Sequence, residues 1–272
     1  MNACWTLPAL FAGQNTGEDI ANALFRWIHI LAGVLWIGHL YFFNFVNAEL
    51  AKTYDADSKK KVIPELMPRA LFWFRWGAAY TWITGVLMLA ILYWHQPFFS
   101  RTGLPANGPA LVAFVLVVVG FVVYDQIAKA MAKQPIAGLS VWFAVVLGFV
   151  FLLTCCEYFA ASNRAAYIHA GAMLGTAMAA NVWMKIWPCQ KRIITAIKAG
   201  QAPDPADAAL AGLRSKHNTF MSVPLLFLML AVHADQIGVT VGDPWMWVLG
   251  VFVVGTIATQ RLYVLSTKVK GF

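Results

Sequence analysis

From the N-terminus onward, the chain alternates between long stretches where polar residues nearly vanish and shorter ones where they collect. Seven apolar runs can be drawn: Ala23–Val46, Phe72–Trp94, Pro109–Ile127, Ser140–Phe159, Ala165–Trp187, Thr219–Ala234 and Pro244–Leu265. Most reach the ~20 residues an α-helix needs to cross a ~30 Å hydrocarbon layer. The sixth is the shortest, and its Pro224 marks a kink position. The pattern predicts an all-α integral membrane protein, a seven-transmembrane helix bundle forming one membrane domain over residues 1–272.

Two longer polar stretches, Asn47 to Leu71 and Pro188 to Asn218, read as sizeable loops on one side of the bundle. The first holds the basic run Lys59–Lys61 and two helix breakers, Pro64 and Pro68. In the second, Asp204 is placed to cap a short helix starting at Pro205.

Composition agrees with the pattern: 60% of the 272 residues are hydrophobic and 12% charged, outside the range of soluble globular chains. The first run follows polar residues that include Glu18 and Asp19, with no basic stretch before it, and does not read as a cleavable signal. Lysine and arginine then set an orientation, because they collect on the cytoplasmic side. With the N-terminus outside, only Arg26, Arg101 and Arg164 of the 20 basic residues fall on the outer side. The segments Lys52 to Arg75, Lys185 to Lys216 and Arg261 to Lys270, with Lys129 and Lys133, hold the rest, which puts the C-terminus in the cytoplasm. The net charge of +8 is therefore a signal of topology and of contact with anionic membrane lipid. It does not indicate nucleic acid, whose binding would need aromatic residues interleaved with basic ones on a soluble face. Cysteine spacing excludes three other classes. Cys4, Cys155, Cys156 and Cys189 contain no C-x-x-C or C-x-x-C-H, so a disulfide framework, a zinc ribbon and a covalently attached haem are ruled out.

The candidate chemistry lies with histidines inside the runs. At 1.5 Å per residue, His29 lies about 8 Å below the outer boundary, His169 about 6 Å and His233 about 3 Å, one outer layer from three helices. His39 falls deeper, at about 24 Å, near Asp125, Asn181, Arg75 and Gln260, which reads as a second polar layer. Ionisable groups inside spans face the bundle interior and are functional candidates. Neutral imidazole is the usual axial ligand of b-type haem, so His29 and His169 are the expected iron ligands, with His39 and Asn181 beside them as further cofactor-binding residues. His233 and Glu157, the latter just after Cys155–Cys156, are the candidate proton acceptors. A faint internal echo pairs Trp27-Ile28-His29 with Tyr167-Ile168-His169, and Asn44 with Asn181 below them.

Four segments, RWIHILAGVLWIGHLYFF (Arg26–Phe43), FWFRWGAAYTWITG (Phe72–Gly85), IHAGAMLGTAMAANVWMKIWPCQ (Ile168–Gln190) and RSKHNTFMSVPLLFLMLAVHAD (Arg214–Asp235), resemble the membrane domain of bacterial membrane-bound urate hydroxylases, the urate oxidase N-terminal family. The resemblance covers most of the chain. It implies oxidation of urate to 5-hydroxyisourate in a bacterial inner membrane, with electrons passed to a cytochrome c. It points to His29, His169, Asn181, His217, Asn218 and His233 as the matching positions. In two respects this chain departs from the pattern. It lacks the further span and the C-x-x-C-H cytochrome domain, so a separate cytochrome c is the expected acceptor; and Gly77 stands after Trp76, where the family carries an acidic residue. A second class of function remains open at this stage, an accessory or electron-transfer subunit of a larger respiratory or photosynthetic membrane complex. Transport ranks last, because no paired broken helices occupy corresponding halves of the chain.

Overall fold

The computed structural model describes residues 16–94, 107–155, 163–231 and 242–269. Among the described residues all regular structure is helical. The elements are α1 (Thr16–Tyr41), α2 (Ala56–Leu89), α3 (Asn107–Ala130), α4 (Pro135–Cys155), α5 (Asn163–Asn181), α6 (Trp187–Lys198), α7 (Pro205–Ala231) and α8 (Pro244–Ser266). Three carry π-helical extensions: Phe42–Asn47 after α1, Ala90–Trp94 after α2, and Val182–Ile186 between α5 and α6. Among the described residues, five helical stretches are long and apolar enough to cross a membrane: Gly17–Leu50, Ala56–Trp94, Leu111–Ala130, Pro135–Cys155 and Pro244–Ser266.

The two stretches expected to be loops are largely helical. Asp55 caps α2, its carboxylate accepting the Ser58 backbone N–H at 2.7 Å. Pro64 and Pro68 lie inside that helix, which runs on through them. Each proline removes one backbone donor but does not end the helix, because Met67, Ala70 and Leu71 anchor this part of α2 in the core. Asp204 does cap the helix starting at Pro205, accepting the Ala206 N–H at 2.8 Å, but that helix is 27 residues long and reaches Ala231. Arg192 of α6 grips Asp207 of α7 with two guanidinium nitrogens and also donates to Cys189 Sγ. The guanidinium holds the Asp207 carboxyl below the usual carboxylate range.

α5 is the central helix, with 13 of its 19 residues buried. Its Ala170, Ala177 and Gly171 are small enough to let α2, α3, α4, α7 and α8 pack around it. Between α4 and α8, Phe143 and Phe252 stack with ring centroids 4.5 Å apart. α1 is peripheral and buries a single stripe, Ala32, Trp36 and Leu40, spaced four residues apart.

That stripe sits on Gly77. A Cβ at this position would stand 3.0 Å from the Trp36 backbone nitrogen and 3.1 Å from the Ala32 carbonyl oxygen. Both atoms belong to the α1 backbone, so no side chain can swing aside. An acidic residue here needs a wider spacing between α1 and α2 than this chain has. Gly77→Ala is expected to cost about 1–3 kcal/mol as overpacking, read as a lowered melting temperature in detergent. An unchanged melting temperature would show that α1 is free to shift.

Candidate functional site

His169 is fully buried on α5. Its Nδ1 lies 2.7 Å from the Ala165 carbonyl oxygen one turn earlier, so Nδ1 carries the proton and Nε2 keeps a lone pair. Trp94 donates its indole N–H to that Nε2 at 3.1 Å, and Tyr93 meets the imidazole edge-on, ring centroids 5.8 Å apart. His29 lies against α2, its Nδ1 3.2 Å from Thr84 Oγ1. The Thr84 hydroxyl donates to the Tyr80 carbonyl at 2.6 Å, so His29 Nδ1–H is the donor and its Nε2 is again the lone-pair atom. Glycine at position 85 seats the ring, since a Cβ there would lie 3.1 Å from His29 Cε1.

The two imidazoles meet α2 and its extension ten residues apart, about 15 Å of helix, and each keeps its own partners. His39 bonds its own helix, Nδ1 donating to the Leu35 carbonyl at 2.7 Å. His233 and Glu157 lie outside the described residues.

A second assembly, below the histidines, is built on α7. Arg214, His217 and Asn218 share one face of that helix and are 1%, 2% and 0% exposed. Asn218 donates Nδ2 to the Met178 carbonyl at 3.0 Å, which leaves its Oδ1 to accept from Asn181 Nδ2 at 2.8 Å. The Asn181 amide nitrogen also donates to Tyr124 Oη at 2.8 Å. The phenol's own proton then goes to His217 Nδ1, 2.9 Å away, which makes His217 Nε2 an N–H donor. Beside the phenol, Arg214 donates Nη2 to Asp125 Oδ1 at 2.7 Å, with its guanidinium carbon 5.3 Å from the Tyr124 ring centroid. Asp125 Oδ2 also meets Lys129 at 2.8 Å and Lys185 at 3.2 Å.

Wide helical turns deliver several of these groups. Lys185 comes from Val182–Ile186, directly after Asn181. Asn44 comes from Phe42–Asn47, donates to Ser215 Oγ at 2.8 Å and accepts from Tyr263 Oη at 2.9 Å. Tyr41 Oη lies 3.0 Å from Ser222 Oγ. The echo between Asn44 and Asn181 thus has a counterpart: each stands at a π-helical turn and each donates its amide to α7. Such turns recur at functional sites.

Of the residues expected in the deeper layer, Asp125 and Asn181 are here. Arg75 stacks on Trp187, 3.9 Å from the ring centroid, and Gln260 is exposed. Tyr124, Arg214 and Lys185 were not expected. The signal that could have found them is Asp125 itself, since a carboxylate in an apolar run requires a cation on a neighbouring helix.

Eight buried side-chain nitrogen or oxygen atoms lack a hydrogen-bond partner among the described residues, and half of them belong to this assembly: Asn181 Oδ1, Arg214 Nε, Arg214 Nη1 and His217 Nε2. The Pro135 backbone lies beside the His217 ring as a weak acceptor. Each such atom costs about 1–3 kcal/mol when nothing completes it. A site that gathers four is arranged to be completed by something polar.

Comparison with known proteins follows the same segments. No curated protein and no solved structure matches the chain. The family model described as urate oxidase N-terminal matches residues 54–271, which take in α2 through α8 and every residue of the α7 assembly except the α1-side Tyr41 and Asn44. By that match over most of its length, the chain belongs to the urate oxidase N-terminal family.

Proposed function

We propose that the protein is a multi-pass oxidoreductase of the bacterial inner membrane, which oxidises urate or a closely related small reductant and delivers the electrons to a separate cytochrome c. Membership of the urate oxidase N-terminal family is the observation that carries this reading. Five helical stretches suited to crossing a membrane support its setting. In the arrangement we propose, α5 and the apolar part of α7 complete seven spans, with the N-terminus outside and the lysine- and arginine-rich segments in the cytoplasm.

The residues present fit a b-type haem in their donor chemistry. Metal-ligating histidines commonly donate one ring N–H to a carbonyl or other acceptor, which fixes the tautomer and leaves the second nitrogen for the metal. His169 has this form through Ala165, and His29 has it through Thr84, so each would offer its Nε2 to a haem iron. When bound, haem supplies reversible one-electron storage. Oxidation of a purine also releases protons, and His233 and Glu157 are the proposed acceptors.

The test is spectroscopic. Protein purified in detergent should show b-type haem absorption, and anaerobic urate should convert the spectrum to the reduced form, with reoxidation by added cytochrome c. A preparation that absorbs only as tryptophan and tyrosine, and that reduces no cytochrome c with urate, rules the reading out.

A further inference from the structure

The α7 assembly has an unbalanced set of groups. Arg214 offers two enclosed N–H donors, Nε and Nη1, and His217 offers a third at Nε2, while Asn181 Oδ1 is the one acceptor left over. A further buried indole N–H without a partner belongs to Trp142, whose ring lies 5.5 Å from that of Tyr124. Charge is unbalanced in the same sense. Lys129 is 55% exposed and Lys185 partly exposed at 22%, whereas Arg214 is enclosed at 2%, and all three meet the single carboxylate of Asp125. Three cations thus share one carboxylate, and the cluster carries net positive charge. Water can satisfy individual donors, but it does not neutralise that charge. A ligand matched to the set is negative, presents acceptors to Arg214 and His217, and has a donor of its own for Asn181 Oδ1.

We propose that Tyr124, Asn181, Arg214 and His217 form the anion site of this protein, and that its ligand is a small planar monoanion with N–H groups beside its oxygens. The urate monoanion belongs to that class. The name of the ligand rests on the function proposed above; the site rests on the orphaned donors and the excess charge. Arg214 supplies charge and directional donors, and Asn181 reads an N–H on the ligand. Tyr124 is a positioning residue that holds Asn181 and His217 apart by accepting from one and donating to the other. The wide turn Val182–Ile186 joins Asn181 to Lys185.

Two variants of the full chain test this. Arg214→Lys keeps the charge and the pairing with Asp125 but removes the Nε and Nη1 donors. Asn181→Asp keeps the shape and places a negative charge where the ligand's donor should sit. In equilibrium dialysis with radiolabelled urate, the parent protein should bind saturably, and each variant at least tenfold more weakly with its helical circular-dichroism spectrum unchanged. Wild-type affinity in both variants overturns the site while leaving the oxidoreductase reading in place. Absence of urate binding together with absence of urate-dependent reduction in the parent protein overturns that reading and the ligand with it. Thermal stabilisation of the parent protein by bicarbonate or inorganic phosphate, with none from urate, also overturns the planar ligand.

Discussion

Asp125→Asn should destabilise the protein by about 3–5 kcal/mol, the range seen when one partner is removed from a buried ion pair. The substitution keeps the shape of the side chain, so the loss is electrostatic. Arg214 is 1% exposed and has no other carboxylate among its described contacts, and Lys185 is largely enclosed beside it. Without Asp125 the buried Arg214 guanidinium is left uncompensated. The contrast is Lys129→Ala: Lys129 meets the same carboxylate but is 55% exposed, and exposed pairs contribute about 0–1 kcal/mol. Denaturant or thermal unfolding in detergent should separate the two variants clearly. Asp125→Leu combined with Arg214→Met should recover much of the loss, because an apolar pair of similar volume avoids the desolvation that the ions incur. If the double variant is as unstable as Asp125→Asn, the cost lies in packing and the ion pair is secondary.

Much of this arrangement can be read from the chain, and the part that cannot has a definite cause. Within the described residues the apolar runs are helical, the cap at Asp204 forms, and Asp125 and Asn181 belong to one polar assembly, as counting residues along the helices predicts. Depth is well determined because an α-helix rises by a constant 1.5 Å per residue. Facing is not, because nearly every residue of these helices is apolar and no polar stripe marks the inward side. Tyr124 adjoins Asp125 in sequence, yet its role depends on α5 and α7 presenting Asn181 and His217 to it. The π-helical turns add a second obstacle, since a wide turn changes the register of everything beyond it. Asn44 reaches α7 from such a turn, whereas His39, just before it, is spent on the Leu35 carbonyl. Gly77 shows the reverse case. Its meaning was open in the sequence, where it stood as a missing carboxylate, and the contact with Trp36 and Ala32 makes it a packing requirement. The prolines at 64 and 68 misled for a related reason: a proline weakens a helix by a fixed local amount, and the burial of Met67, Ala70 and Leu71 outweighs it.

Trp94→Phe should move haem affinity and protein stability in opposite directions. The indole N–H is the donor to His169 Nε2, the atom through which that histidine would hold iron. Removing it takes a hydrogen-bond donor away from a fully buried acceptor, which should cost the haem-free protein about 1–3 kcal/mol. The same removal eliminates the group that competes for the Nε2 lone pair, so haem titrated into the variant should bind more tightly than into the parent protein. Phenylalanine keeps most of the ring packing against Phe114, whose centroid lies 5.0 Å from that of Trp94, so the change stays local. His169→Ala should abolish haem binding altogether, since no second nitrogen on α5 can replace an imidazole pinned by the Ala165 carbonyl. His29→Ala then reports on the other proposed ligand: a changed or weakened haem spectrum supports it, and an unchanged spectrum removes His29 from the ligand set. Should Trp94→Phe weaken stability and haem affinity together, the Trp94–His169 bond is a structural clasp, and the iron ligand has to be sought elsewhere in the bundle.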